Sequence, residues 1–151
     1  MIQRKQSLFL LMAAISTAWL TIGSMAEYVN AEMSYVLKYL GIYPVTATVP
    51  VLGTYPLAIS IIASTLLSVT TIFLFKKRQF QIRLCGVNLA LIAGIIVFIF
   101  YFGRVGHKSL NAMVVYNWSS VLPFMALVMI VLAMISISKD EALVRSINRL
   151  R

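Results

Sequence analysis

Charge of either sign is scarce in this chain, and negative charge most of all: four Asp and Glu stand against thirteen Lys and Arg in 151 residues, and only 11% of the residues are charged. A water-soluble domain carries nearer ~25%, so an aqueous surface is a poor fit. The single cysteine, Cys85, excludes an intrachain disulfide, and with His107 the only histidine a Cys/His zinc site has too few ligands. The carboxylates Glu27 and Glu32 lie on the other side of the apolar runs from Asp140 and Glu141. No acid–base pair assembles across hydrocarbon, and the first pair has no evident nucleophile or oxyanion partner. No catalytic, metal or cofactor site is expected, and the chain does not read as an enzyme.

Apolar residues fill the space the charges leave, at 61% of the chain with a mean hydropathy of +0.93. They come in uncharged runs of the length that crosses a ~30 Å hydrocarbon layer at ~1.5 Å per residue. Arg4 and Lys5 precede the first run, which gives a span over residues 7–26. The same start resembles a cleavable signal peptide, but the apolar stretch is long for one. In the second run Gly41, Pro44, Pro50, Gly53 and Pro56 crowd the first part. A helix is therefore expected to begin near Pro56, with Thr54 or Tyr55 as its cap, and to span 56–75. Arg83 and Arg104 bracket a third span, 84–103, and the fourth is placed at 119–138, with Pro123 in its first turn or so. The expected fold is an all-α membrane protein, a single domain built as a bundle of four transmembrane helices.

Ten of the thirteen Lys and Arg fall at one end of these spans, leaving Lys38, Arg104 and Lys108 at the other. The positive-inside rule makes the ten-charge end cytoplasmic, with both termini inside. Tyr28, Tyr55, Tyr101 and Trp118 fall at the outer ends, where amphipathic rings suit the headgroup layer. The formal charge of +9 would suit nucleic acid in a soluble protein. Here topology accounts for it, and no nucleic-acid partner is expected.

In the outer segment, Met33, Val36, Leu37 and Leu40 recur at helical spacing between Asn30 and Gly41, so a short interfacial helix is expected over 31–40. The β-branched stretch from Tyr43 to Leu52 reads instead as a short hairpin or an extended cover. At the other end, Leu143, Ile147 and Leu150 share one face of an amphipathic helix over 139–151, with Glu141, Arg145 and Arg149 on another. It is expected to lie on anionic headgroups or to dock on a cytosolic protein.

Small residues recur every four positions as Ser60, Ser64 and Ser68 in span two and as Gly86, Ala90 and Gly94 in span three. Such stripes line a pore or, more commonly, let two helices approach closely, and close packing is expected here. No ionisable residue lies inside a span as drawn, which weighs against proton-coupled transport. Asn88 is expected to bond across the bundle or to reach the interface. His107, beside Arg104 and Lys108, reads as a solvated side chain. Lys76, Lys77, Arg78 and Arg83 crowd the inner turn, where topology alone calls for positive charge.

The opening Met1 to Arg4, the inner turn Phe75-Lys76-Lys77-Arg78-Gln79-Phe80-Gln81-Ile82-Arg83-Leu84-Cys85, and the closing Lys139-Asp140-Glu141-Ala142-Leu143-Val144-Arg145-Ser146 resemble a bacterial family of four-span inner-membrane proteins, domain of unknown function four-two-nine-three. The resemblance implies that architecture and a bacterial inner membrane, and it carries no substrate, cofactor or catalytic residue. All three segments lie at the basic end. The functional expectation is an accessory or scaffold subunit that binds a partner there, with Lys76, Lys77, Arg78, Arg83, Leu143, Arg145, Ile147 and Arg149 as candidate lipid or protein contacts. The alternative is a small-solute channel formed by oligomerisation, with Ser60, Ser64 and Ser68 along its path. The side on which those serines lie separates the two.

Overall fold

A computed structural model describes the backbone of residues 3–30, 33–75 and 77–149, and within that set the side chains from 6 to 143. Four helices, α1 (Gln3–Trp19), α2 (Tyr55–Phe73), α3 (Arg78–Leu110) and α4 (Leu122–Arg149), form an antiparallel ring in which each packs on its two sequence neighbours and α1 closes against α4. The buried stripes show why. α3 turns Cys85, Asn88, Ile92, Ile95, Ile99 and Phe102 inward, and α4 turns Ala126, Ile130, Ala133 and Ile137, each at spacings of three and four. Leu8, Leu11, Ile15, Ile59, Leu66, Val97 and Val128 are exposed on the outside of the ring. An apolar exterior over a packed interior is what hydrocarbon as solvent requires.

Tyr55–Phe73, Arg78–Leu110 and Trp118–Leu143 are long and apolar enough to cross a membrane. α1 is shorter than the expected span: it stops at Trp19, and turns over Leu20–Gly23 lead into a strand at Ala26. Its 17 residues cover about 26 Å at ~1.5 Å each. α3 runs well past the expected 84–103 at both ends and is closed by Asn111, whose left-handed φ of 44° is a conformation that Asn tolerates at a helix C-terminus. No break separates a fourth span from a C-terminal helix: α4 runs unbroken to Arg149, because nothing between Ser138 and Arg149 is a Pro or Gly that would stop it.

The all-α expectation fails at one end. There β1 (Ala26–Val29), β2 (Ser34–Lys38), β3 (Gly41–Pro44), β4 (Leu52–Gly53) and β5 (Met113–Tyr116) form an antiparallel sheet in the order β4-β3-β2-β1-β5. The helix expected over 31–40 is strand β2, with Leu37 buried and Tyr35 and Val36 partly so. Spacing of three and four can also be met by a strand whose flanking Met33 and Leu40 are exposed, and Tyr35 and Val36 favour the pleated form. The extended reading fits β3 and β4, which pair as Gly41↔Gly53 and Ile42↔Leu52.

The sheet is fastened to the bundle. Tyr28, Leu37 and Ile42 join Leu20, Leu57, Ile61, Ile95 and Ile99 in one core, while Leu10, Ala13, Cys85, Ile92, Ala126, Ile130, Ala133 and Ile137 form a second toward the basic end. Thr54 stands at the cap position of α2 but does not cap it; its hydroxyl faces the carbonyls of Lys38 and Tyr39, 3.3 and 3.0 Å away, and ties the helix start to the β2–β3 turn.

Candidate functional site

Among the described residues, every fully buried side-chain nitrogen and oxygen has a hydrogen-bond partner, and these partners join the helices at three levels. Midway along the bundle, Asn88 on α3 is sealed between two serines of α2: Ser64 Oγ donates to its Oδ1 at 2.6 Å and its Nδ2 donates to Ser68 Oγ at 2.7 Å. All three residues are within 1% of complete burial. Thr65 Oγ1 and Thr17 Oγ1, 3.0 Å apart, link α2 to α1, and Gln81 Nε2 donates to the carbonyl of Thr71 at 3.1 Å near the basic end. In hydrocarbon an unpaired polar group is costly, so such pairs fix which helix faces which.

This settles where the serine stripe points. Ser64 and Ser68 face α3, and Ser60, half-buried, donates to the carbonyl of Pro56 in its own helix at 2.8 Å. The Gly86, Ala90 and Gly94 stripe does not meet a neighbour. Gly86 and Ala90 are exposed, Gly94 is half-buried, and a Cβ added at either glycine would meet nothing within 4 Å. The inward face of α3 is instead the one that carries Asn88, and its close approaches come further along. At Gly106 an added Cβ would collide with the ring of Tyr28, and at Gly103 with the hydroxyl of Tyr116. Through the space so left, Tyr28 Oη donates to the carbonyl of Phe102 at 2.9 Å. Burial, and after it Tyr116, holds the Tyr28 phenol well above its ordinary pKa. Gly103 and Gly106 were visible in the sequence, but Tyr28, which needs the second of them, arrives from a strand far away in the chain.

At the sheet end, His107 is exposed, as expected, and its Nδ1 also lies 2.7 Å from the carbonyl of Ala112, next to the start of β5. Asn117 donates to Glu27 Oε1 and Ser24 Oγ, each at 2.8 Å, so this carboxylate holds the β1–β5 edge together. A groove of about 500 Å³ beside Tyr101, Arg104, Val105, His107 and Lys108 is formed along one stretch of α3.

At the basic end the inner-turn segment and the closing segment meet. Gln6 on α1 donates through Nε2 to the carbonyl of Ser136 at 3.2 Å and to the Asp140 carboxylate on α4, and Arg78 at the start of α3 donates from its guanidinium to the backbone carbonyl of Asp140 at 3.1 Å. Asp140 is 9% exposed. One turn of α4 is thereby gripped by α1 and α3 at the level where the apolar run stops, and beyond it the helix continues to Arg149. Beside this grip, Lys77, Arg78, Gln79, Phe80 and Arg83 line an open recess of about 370 Å³. Leu143 is exposed. Of the other candidate contacts, Lys76 and the side chains of Arg145, Ile147 and Arg149 lie outside the described residues. The Gln6–Asp140–Arg78 junction was not foreseen, because nothing in a sequence without internal symmetry says which turn of α4 stands beside which residue of α1. Groups of three or more His, Cys, Asp or Glu able to hold a metal are absent among the described residues.

The fold and this end define a helical bundle with an apolar exterior, three of its helices able to cross a membrane, and a sheet closing the end opposite the basic residues. The chain belongs to the family described as Domain of unknown function (DUF4293), whose model matches residues 2–150. No curated protein and no solved structure matches it.

Proposed function

We propose that all four helices cross a bacterial inner membrane, with both termini in the cytoplasm and the sheet outside, and that the protein is an accessory or scaffold subunit holding a partner protein at its basic cytoplasmic end. The observation that carries this reading is the burial of Ser64 and Ser68 against Asn88. Two of the three serines that would line a solute path, Ser64 and Ser68, are consumed in joining α2 to α3, so these polar groups support assembly and leave the ends to carry function. Of the two ends, the basic one has the inner-turn segment and the closing segment joined by Arg78 and Asp140, with Gln6 of α1 bonded to the same turn, and α4 continues beyond this grip. A helix held at Asp140 and continuing past it is a surface that a cytosolic partner can read. The ten-to-three distribution of Lys and Arg supports the orientation.

Purification from the native membrane in mild detergent tests the reading. A protein that co-purifies in fixed ratio, and is lost when Ala142 and Leu143 are replaced by Asp, supports it; a chain that purifies alone under conditions that keep the bundle folded contradicts it.

A further inference from the structure

We infer that the recess at the α2–α3 turn is a seat for the phosphodiester headgroup of an anionic phospholipid. Lys77 stands at the position just before α3, and Gln79 and Arg83, one turn apart, lie on the same helical face next to Phe80. Lys77, Gln79, Phe80 and Arg83 are exposed. None of the three cations pairs with a described carboxylate: Arg78 spends a guanidinium N–H on the neutral carbonyl of Asp140, and the Asp140 carboxylate is taken by Gln6. Three positively charged side chains therefore line about 370 Å³ with none of them held in an ion pair to a described carboxylate. Lys77 supplies no side-chain cap to the helix it begins, and the helix start adds to the positive field.

The surroundings select a lipid over other anions. Phe73, Phe75 and Phe80 are exposed on both sides of the turn, and Leu66, Val69 and Val87 continue the apolar surface along α2 and α3. A molecule with its phosphate among the cations and its chains along these side chains satisfies both halves of the surface at once. Inorganic phosphate or an acidic peptide uses only the first. The inference deepens the proposed reading of this face and rests on the chain being inserted in a bilayer; it requires no protein partner.

The test uses the purified full chain, so that its outcome is independent of the partner experiment. Native mass spectrometry from detergent supplemented with phosphatidylglycerol or phosphatidylcholine reads lipid retention directly. One phosphatidylglycerol should be retained in preference to phosphatidylcholine. Lys77→Gln with Arg83→Gln should lower that retention by about tenfold or more, while Lys5→Gln with Lys139→Gln, an equal charge change at the same end, should alter it by no more than about twofold. Phe80→Asp should also lower it, and unchanged thermal unfolding of each variant in detergent shows that the bundle is intact. Equal losses from the two charge pairs would mean diffuse attraction and overturn the site, as would no preference for the anionic lipid, or inorganic phosphate displacing it at equal concentration.

Discussion

Asn88 donates to Ser68 across the α2–α3 interface at 2.7 Å with both side chains fully enclosed. Removing one member leaves the others unpaired in a low-dielectric interior, whereas removing all of them does not. Asn88→Ala is expected to destabilise the bundle by roughly 1 kcal/mol, the scale of interhelical hydrogen bonds in membranes. Asn88→Leu combined with Ser64→Ala and Ser68→Ala should recover most of that loss. Reversible unfolding in detergent micelles measures both.

The same geometry separates assembly from permeation. With Cys85 replaced by Ala, cysteines placed at positions 64 and 68 should resist a membrane-impermeant thiol reagent in intact vesicles, because α3 covers both. Rapid labelling at both would place water beside them and favour the channel.

Gly106 is the glycine that the fold needs. Gly106→Leu should prevent the sheet from seating on α3, since even one added carbon meets the Tyr28 ring, and a loss of roughly 2 kcal/mol or more is expected from such overpacking. Gly94→Leu, with open space around it, should be tolerated. Comparing the folded fractions of the two variants in one membrane system checks this, and the reverse ranking would contradict the packing.

Tyr28 makes the sheet sensitive to alkali. Its folded pKa lies above the unfolded value, chiefly through burial, so its contribution is complete below the unfolded pKa of ~10 and declines as pH rises beyond it. The physical cause is that a phenolate charge is disfavoured at this buried position; once ionised, the group also has no proton to donate to Phe102. Stability of the wild-type chain should therefore fall above about pH 10 more steeply than that of Tyr28→Phe, which forfeits the hydrogen bond at every pH. Parallel curves for the two proteins would remove Tyr28 as the cause.

Much of the bundle was legible because helices in an apolar solvent are written in local code: uncharged run length, a proline at the start of α2, and charges at the ends. The sheet was not, since its strands are two to five residues long, too short for alternation to outvote the spacing of Met33, Val36, Leu37 and Leu40. The pairing of β1 with β5, with Ala26 opposite Tyr116, joins segments that α2 and α3 separate in the chain and leaves no local trace. The small-residue stripes show the same limit. Spacing says that a face is smooth, but which face meets a neighbour depends on rotation about the helix axis, and α3 turns Asn88 inward and Gly86 outward. Of the candidate site, the basic turn and the C-terminal segment were readable as charge and amphipathicity, while their junction through Gln6, Arg78 and Asp140 is a product of the tertiary fold.

The claim that the basic end recognises a protein is tested most directly by photo-crosslinking in intact cells from position 142, an exposed site on α4 just beyond the Asp140 grip. The account predicts one discrete protein adduct that is absent when the photoreactive group is moved to the lipid-facing position of Val97. Adducts to lipid alone from position 142 would contradict it.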